Sequence, residues 1–233
     1  MLGDYMISTD YPEQAINDIT LALLEDTGFY KVNYYSGGLF KFGKNKGCNF
    51  FKKKCVIDEQ PYFDEFCVNK DELKCGSSRA VKSSCFIKKH SNIPSEYQYF
   101  SDKSSGGFIP ADYCPVPFEY YKSDDYYPNH CQVGTQNPYG ETMGKNSLCF
   151  MSSLIPDSSK YSANAKIPVC YKVYCDIFHK QIIVTINYKQ VNCPTRGDSN
   201  FKPDGFKGSI ECPKYEDVCS SNDGFICNEM FVV

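Results

Sequence analysis

Asp18-Ile-Thr-Leu-Ala-Leu-Leu-Glu-Asp-Thr-Gly-Phe-Tyr30 is the stretch on which the reading of this 233-residue chain turns. Ile16, Ile19, Leu23 and Leu24 recur at helical spacing and form one apolar stripe. Glu13, Gln14, Asn17, Asp18 and Glu25 keep the other faces wet. Upstream, Thr9 or Asp10 is placed to cap the helix and Pro12 suits its first turn. Glu13 lies three positions after Asp10, as in a capping box. Gly28 stands where a left-handed C-cap is expected, and Phe29-Tyr30 is placed to fold back on the last turn. Met1 to Ile7 has neither a helix nor a strand period. A helix with such a stripe needs a partner surface, so the expectation is that its domain begins upstream of Met1.

The rest of the chain has a different character. Fourteen cysteines all fall between Cys48 and Cys227. They are even in number, spread out and free of Cys-x-x-Cys; the closest pair, Cys170 and Cys175, has four residues between. That usage indicates disulfides and an oxidising compartment, with each bridge contributing ~2–4 kcal/mol to a chain short of long apolar runs. Spacing leaves the connectivity open. The only histidines, His90, His130 and His179, have no i, i+4 pairing. Structural zinc sites show tighter ligand spacing, so polar surface or loop roles are expected for all three.

Gln181 to Tyr188 is the clearest strand, rich in β-branched residues, and Val169 to Cys175 is placed to pair with it across Asp176 to Lys180. Phe201 to Gly208 reads as a turn before Ser209-Ile-Glu-Cys212, and Phe63 to Lys74 as a short helix. The expected fold class is α+β: an N-terminal helix followed by a mainly β, loop-rich, disulfide-stapled domain. Net charge is −3 and no basic stripe stands out, which argues against a nucleic-acid partner. Lys52-Lys53-Lys54 and Asp124-Asp125 read as solvated segments. The doublets Tyr34-Tyr35, Tyr120-Tyr121 and Tyr126-Tyr127 read as half-buried packing residues. No run approaches the ~20 apolar residues of a membrane span. Met1 to Asp4 carries no signal-peptide pattern, and no Asn-x-Ser/Thr sequon occurs.

Several ordered segments carry more. Tyr5-Met6-Ile7-Ser8, the stretch Asp18 to Tyr30, and Gly43-Lys-Asn-Lys-Gly-Cys48 occur in that order. Tyr97-Gln98-Tyr99-Phe100, Asp112-Tyr113-Cys114-Pro115-Val116 and Cys212-Pro213-x-Tyr215-x-x-Val218-Cys219 follow them. Together they resemble the leishmanolysin-type zinc metallopeptidases, which are metzincins, over nearly the whole chain from Tyr5 to Cys219. The resemblance implies that residues 1–50 are the end of a metzincin catalytic domain, with Met6 as the Met-turn under the zinc. Residues 51–233 are then a cysteine-rich C-terminal domain. It also implies six pairings: Cys55–Cys114, Cys67–Cys85, Cys75–Cys149, Cys131–Cys170, Cys175–Cys219 and Cys193–Cys212. Cys48 would bond to a cysteine upstream, and Cys227 lies past the matched region.

The family's chemistry needs a His-Glu-x-x-His helix and a third His, with the Glu as general base on zinc-bound water. None of these is in the sequence. The resemblance therefore implies an intact enzyme that uses zinc, while this chain alone is expected to bind no cofactor and to be catalytically inert. The implied partners are the N-terminal catalytic half of the same polypeptide and protein or peptide substrates. The implied location is the secretory pathway, outside the cell or on its surface. The reading from another class is a non-catalytic extracellular binding or adhesion module derived from such an enzyme.

Overall fold

The computed structural model describes residues 4, 6, 16–33, 42–43, 46–119, 130–131, 141–163 and 165–219. The three Tyr doublets, Asp124-Asp125, Thr9 to Glu13 and Cys227 lie outside those residues. Among the described residues the protein is mostly β, with three short α-helices: α1 (Asp18–Asp26), α2 (Asn49–Lys52) and α3 (Tyr215–Val218). The strands run β1 (Val56–Ile57), β2 (Gln60–Pro61), β3 (Leu73–Cys75), β4 (Lys82–Cys85), β5 (Lys88–Lys89), β6 (Ser105–Gly106) and β7 (Pro117–Glu119). They continue with β8 (Ser147–Ser152), β9 (Ile155–Pro156), β10 (Ile167–Asp176), β11 (Gln181–Ile186) and β12 (Lys189–Cys193). The last three are β13 (Asp198–Phe201), β14 (Phe206–Lys207) and β15 (Ile210–Cys212).

The centre is a six-stranded sheet ordered β12-β11-β10-β8-β15-β13, all of its pairs antiparallel. Alternation explains how it is filled. On β10, Val169, Tyr171, Val173 and Cys175 turn to one face, where Phe150, Ile182, Val184 and Ile210 meet them in the main core. Cys149 and Cys170 are register partners on the opposite face. Their sulfurs reach Cys75 and Cys131 respectively, so two adjacent disulfides staple that face to the three-stranded sheet β3-β4-β7 and its surroundings. Four more disulfides join Cys55 to Cys114, Cys67 to Cys85, Cys175 to Cys219 and Cys193 to Cys212.

Three local readings are corrected. The strand read as Gln181 to Tyr188 ends at Ile186, because Asn187 (φ 46°) and Tyr188 (φ 64°) form the two-residue turn to β12. Positive φ at both central positions matches the twist of a hairpin better than an extended pair would. Phe63 to Lys74 is not helical: it is a series of turns, with Cys67 bonded to Cys85, and its end is drawn into β3 by pairing with β4. Within Phe201 to Gly208, Phe206–Lys207 forms a short strand against β9.

A second core is aromatic. Phe66 stacks on Phe50 at 5.7 Å and meets Phe42 edge-on at 5.8 Å, beside Val56 and Val116. Glu65 sits at the margin, where burial raises its pKa above 4.5 and Lys46, 3.8 Å away, only partly offsets this. A raised acid pKa means the folded protein holds its proton longer than the unfolded chain does, so stability falls as pH rises above 4.5. Glu65→Gln is therefore expected to raise the melting temperature at pH 7 and to lose that advantage below pH 4.5. Thermal unfolding at both pH values checks it.

Candidate functional site

The N-terminal segment is organised by one carboxylate. Asp4 is buried, and its Oδ1 accepts from the Met6 N–H at 2.6 Å. Its Oδ2 accepts from the Thr20 hydroxyl at 2.8 Å and the Asn17 N–H at 3.3 Å. Asn17 in turn caps α1: its Oδ1 accepts from the N–H groups of Ile19 (2.9 Å) and Thr20 (3.0 Å). Asn17 was expected to be wet; it is fully buried, because an Asn in extended backbone satisfies first-turn donors that no residue inside the helix can reach. Asp4 thus ties the backbone at Met6 to the first turn of α1. Asp4→Ala would leave buried donors without an acceptor, at ~1–3 kcal/mol. Amide exchange at Met6 is expected to accelerate at least tenfold in that variant, read by mass spectrometry.

Helix α1 buries only Leu21 on its inner side. The stripe read from the sequence faces outward: Ile16, Ile19, Leu23 (64% exposed) and Leu24 are all exposed. Gly28 takes φ +74°, and its N–H bonds to the Glu25 carbonyl at 2.9 Å, closing the helix in the left-handed manner that glycine favours. Phe29 and Tyr30 do not fold back on the last turn; Phe29 is 87% exposed. Met6 is 74% exposed. The N-terminal segment therefore presents several large exposed apolar side chains, with Leu21 and Asn17 buried. Cys48, at the start of α2, is an exposed free thiol, and Phe51 one turn later is exposed as well.

The histidines are dispersed. His90 Nε2 donates to the carbonyls of Gly107 (3.1 Å) and Gly106 (3.3 Å). Gly107 is required there, since a Cβ would fall 2.1 Å from the Cys114 carbonyl oxygen. His130 lies in an isolated bridge with Val81. His179 Nδ1 bonds Asp176 at 2.6 Å in the β10–β11 turn, and the His179 backbone N–H on the same carboxylate holds its pKa below the usual range. Among the described residues no three His, Cys, Asp or Glu side chains come together to hold a metal. Lys52, Lys53 and Lys54 are exposed. No helix among the described residues is long and apolar enough to cross a membrane.

The Asp4 and Asn17 contacts escaped the sequence reading. The available signal was Asn17 itself, a preferred N-cap type directly before Asp18-Ile19-Thr20.

The peptidase M8 family model, leishmanolysin, matches residues 2–224. A leishmanolysin homolog of Crithidia fasciculata is 29% identical over 230 residues, covering 88% of this chain and 33% of the relative. Leishmanolysin of Leishmania major is 26% identical, covering 88% of this chain and 35% of the relative. A leishmanolysin-like peptidase of Drosophila pseudoobscura pseudoobscura is 26% identical, covering 94% and 38%. The chain spans about a third of the length of these curated relatives. A family model that matches nearly the whole chain, on a disulfide-rich β framework, places this protein in the leishmanolysin family of peptidases.

Proposed function

We propose that this chain is the C-terminal part of a leishmanolysin-type zinc-dependent endopeptidase that cleaves proteins outside the cell or at its surface. The zinc ligands and the general base belong to the upstream catalytic half of the same polypeptide. Residues 1–50 close that catalytic domain, with Met6 as its Met-turn, and residues 51–233 form a cysteine-rich domain that buttresses it. The sequence has no His-Glu-x-x-His, which supports placing the metal's donors in that upstream half. In this reading the chain by itself is inert and binds no zinc. Cys48 is the partner of an upstream cysteine.

The observation that carries this reading is the apolar face of α1 and its continuation, anchored behind by Asp4, Asn17 and Leu21 and exposed in front through Ile19, Leu23 and Phe29. Ile19 and Leu23 lie one turn apart on α1, and exposed apolar surface grouped in this way marks an interface. Burying each such side chain contributes roughly 1.5–3 kcal/mol, so an upstream half seated there would be held firmly.

The pair Ile19→Glu and Leu23→Glu tests the contact. Residues 1–233 alone are expected to self-associate through this face, and the double variant to remain monomeric, as read by sedimentation. Built into the intact polypeptide, the same changes are expected to lower its melting temperature and its yield of folded enzyme. An intact polypeptide indifferent to both substitutions would show that this face is not the seat of the catalytic half.

A further inference from the structure

Away from α1, a cleft of about 680 Å³ opens where the three-stranded sheet meets the β13 edge of the central sheet. One wall is β3, and Ser199 of β13, with Lys214 and Asp217 at α3, lies among its lining residues. Strand β3 is an outer strand of its sheet, in the order β3-β4-β7. Its pairing phase is set by two bonds toward β4: the Cys85 N–H to the Glu72 carbonyl (2.8 Å) and the Gly76 N–H to the Val81 carbonyl (3.0 Å). Alternation in an antiparallel ladder then turns the N–H and C=O of Leu73 and Cys75 the other way. Both residues line the cleft, and no backbone partner for either occurs on that side among the described residues.

An unpaired strand edge is a template for another strand. Here it is also rigid, because Cys75 is bonded to Cys149 of β8. We propose that this cleft binds an extended polypeptide segment, which adds to β3 through the backbone groups of Leu73 and Cys75.

The charges choose among occupants. The lining carries both signs of charge, basic Arg79 and Lys214 together with acidic Glu211 and Asp217. A polymer of one charge sign, such as a nucleic acid or a sulfated glycan, would meet repulsion along part of its length. A peptide main chain carries no net charge and offers the alternating donors and acceptors that a β3 edge needs. Side chains on the inserted strand would alternate between the cleft floor and the solvent, so recognition depends on extended conformation more than on any one residue. The inference is independent of where the zinc ligands lie, since every group it uses belongs to residues 72–217.

The test uses residues 1–233 with all disulfides intact. The probe is a fluorescein-labelled ten-residue peptide of alternating Val and Thr with one Glu and one Lys. Saturating peptide is expected to slow amide exchange at Leu73 and Cys75 at least tenfold. N-methylation of alternate peptide residues is expected to weaken binding at least tenfold, while N-methylation of the two terminal residues changes it less than threefold. Binding that leaves both amides unprotected would overturn the proposal, as would equal affinity for the backbone-methylated peptide. So would failure of the peptide to bind at millimolar concentration, or capture of a heparin fragment in its place.

Discussion

Lys82→Met is expected to destabilise the protein by ~3–5 kcal/mol, because it takes the ammonium group away from a buried carboxylate. Lys82 Nζ lies 3.1 and 3.2 Å from the two oxygens of Glu141. The side chains are 15% and 4% exposed, so water screens the pair little. Glu141 Oε1 also accepts from the Cys170 N–H at 3.3 Å, which ties the pair to the central strand β10 beside the Cys131–Cys170 bridge. The charge pair itself need not be strongly favourable, since desolvation offsets much of its attraction. The expected signature is therefore asymmetric. Lys82→Met alone is costly, and Lys82→Met with Glu141→Leu recovers most of the loss. Equilibrium unfolding in denaturant, without reductant, measures all the corners of this cycle. Equal losses for the single and the double variant would show that the apolar pair does not repack.

Phe150→Ala is the second large effect, at ~3–5 kcal/mol for a large side chain removed from a closed core. Phe150 is fully buried at the middle of β8, opposite Val169 of β10. Its ring lies 6.1 Å from that of Tyr171, whose hydroxyl shares a buried hydrogen bond with Ser152 at 3.0 Å; burial pushes that hydroxyl's pKa up to about 12. The Arg79 guanidinium sits 5.8 Å from the ring centre, and Arg79 Nη1 donates to the Cys149 carbonyl at 3.2 Å. The substitution thus opens a cavity in the main core and removes the surface that Arg79 covers. Phe150→Leu, which keeps most of the volume, is expected to cost less than half as much. The same unfolding experiment separates the two.

How much of this was legible in the sequence depended on whether the signal was local. The β10–β11 hairpin could be read from alternation alone, since Val169, Val173, Ile182 and Val184 each fall on the buried face. The end of that hairpin's second strand could not, because Asn187-Tyr188 differs from an extended pair only by a sign of φ that Tyr seldom adopts. Phe63 to Lys74 had helix-like charge spacing, but the bond from Cys67 to Cys85 and the pairing of Leu73 with Ser84 are long-range events that outweigh a weak local preference. At the N-terminal end, the apolar stripe and the Gly28 cap were visible. The Asp4 contacts were not, since they join residues 13 and 16 positions apart through side chains that carry no periodic mark. Cysteine spacing indicated bridges and left the partners open.

The most direct test of the central claim compares residues 1–233 with a longer, intact polypeptide that carries the proposed upstream half. Zinc content by atomic absorption and cleavage of an unfolded protein substrate are measured on both. The account predicts that the intact polypeptide holds zinc and cleaves the substrate until a chelator is added, and that residues 1–233 do neither. Chelator-sensitive cleavage by residues 1–233 alone, or an intact and folded polypeptide that neither holds zinc nor cleaves, would contradict it.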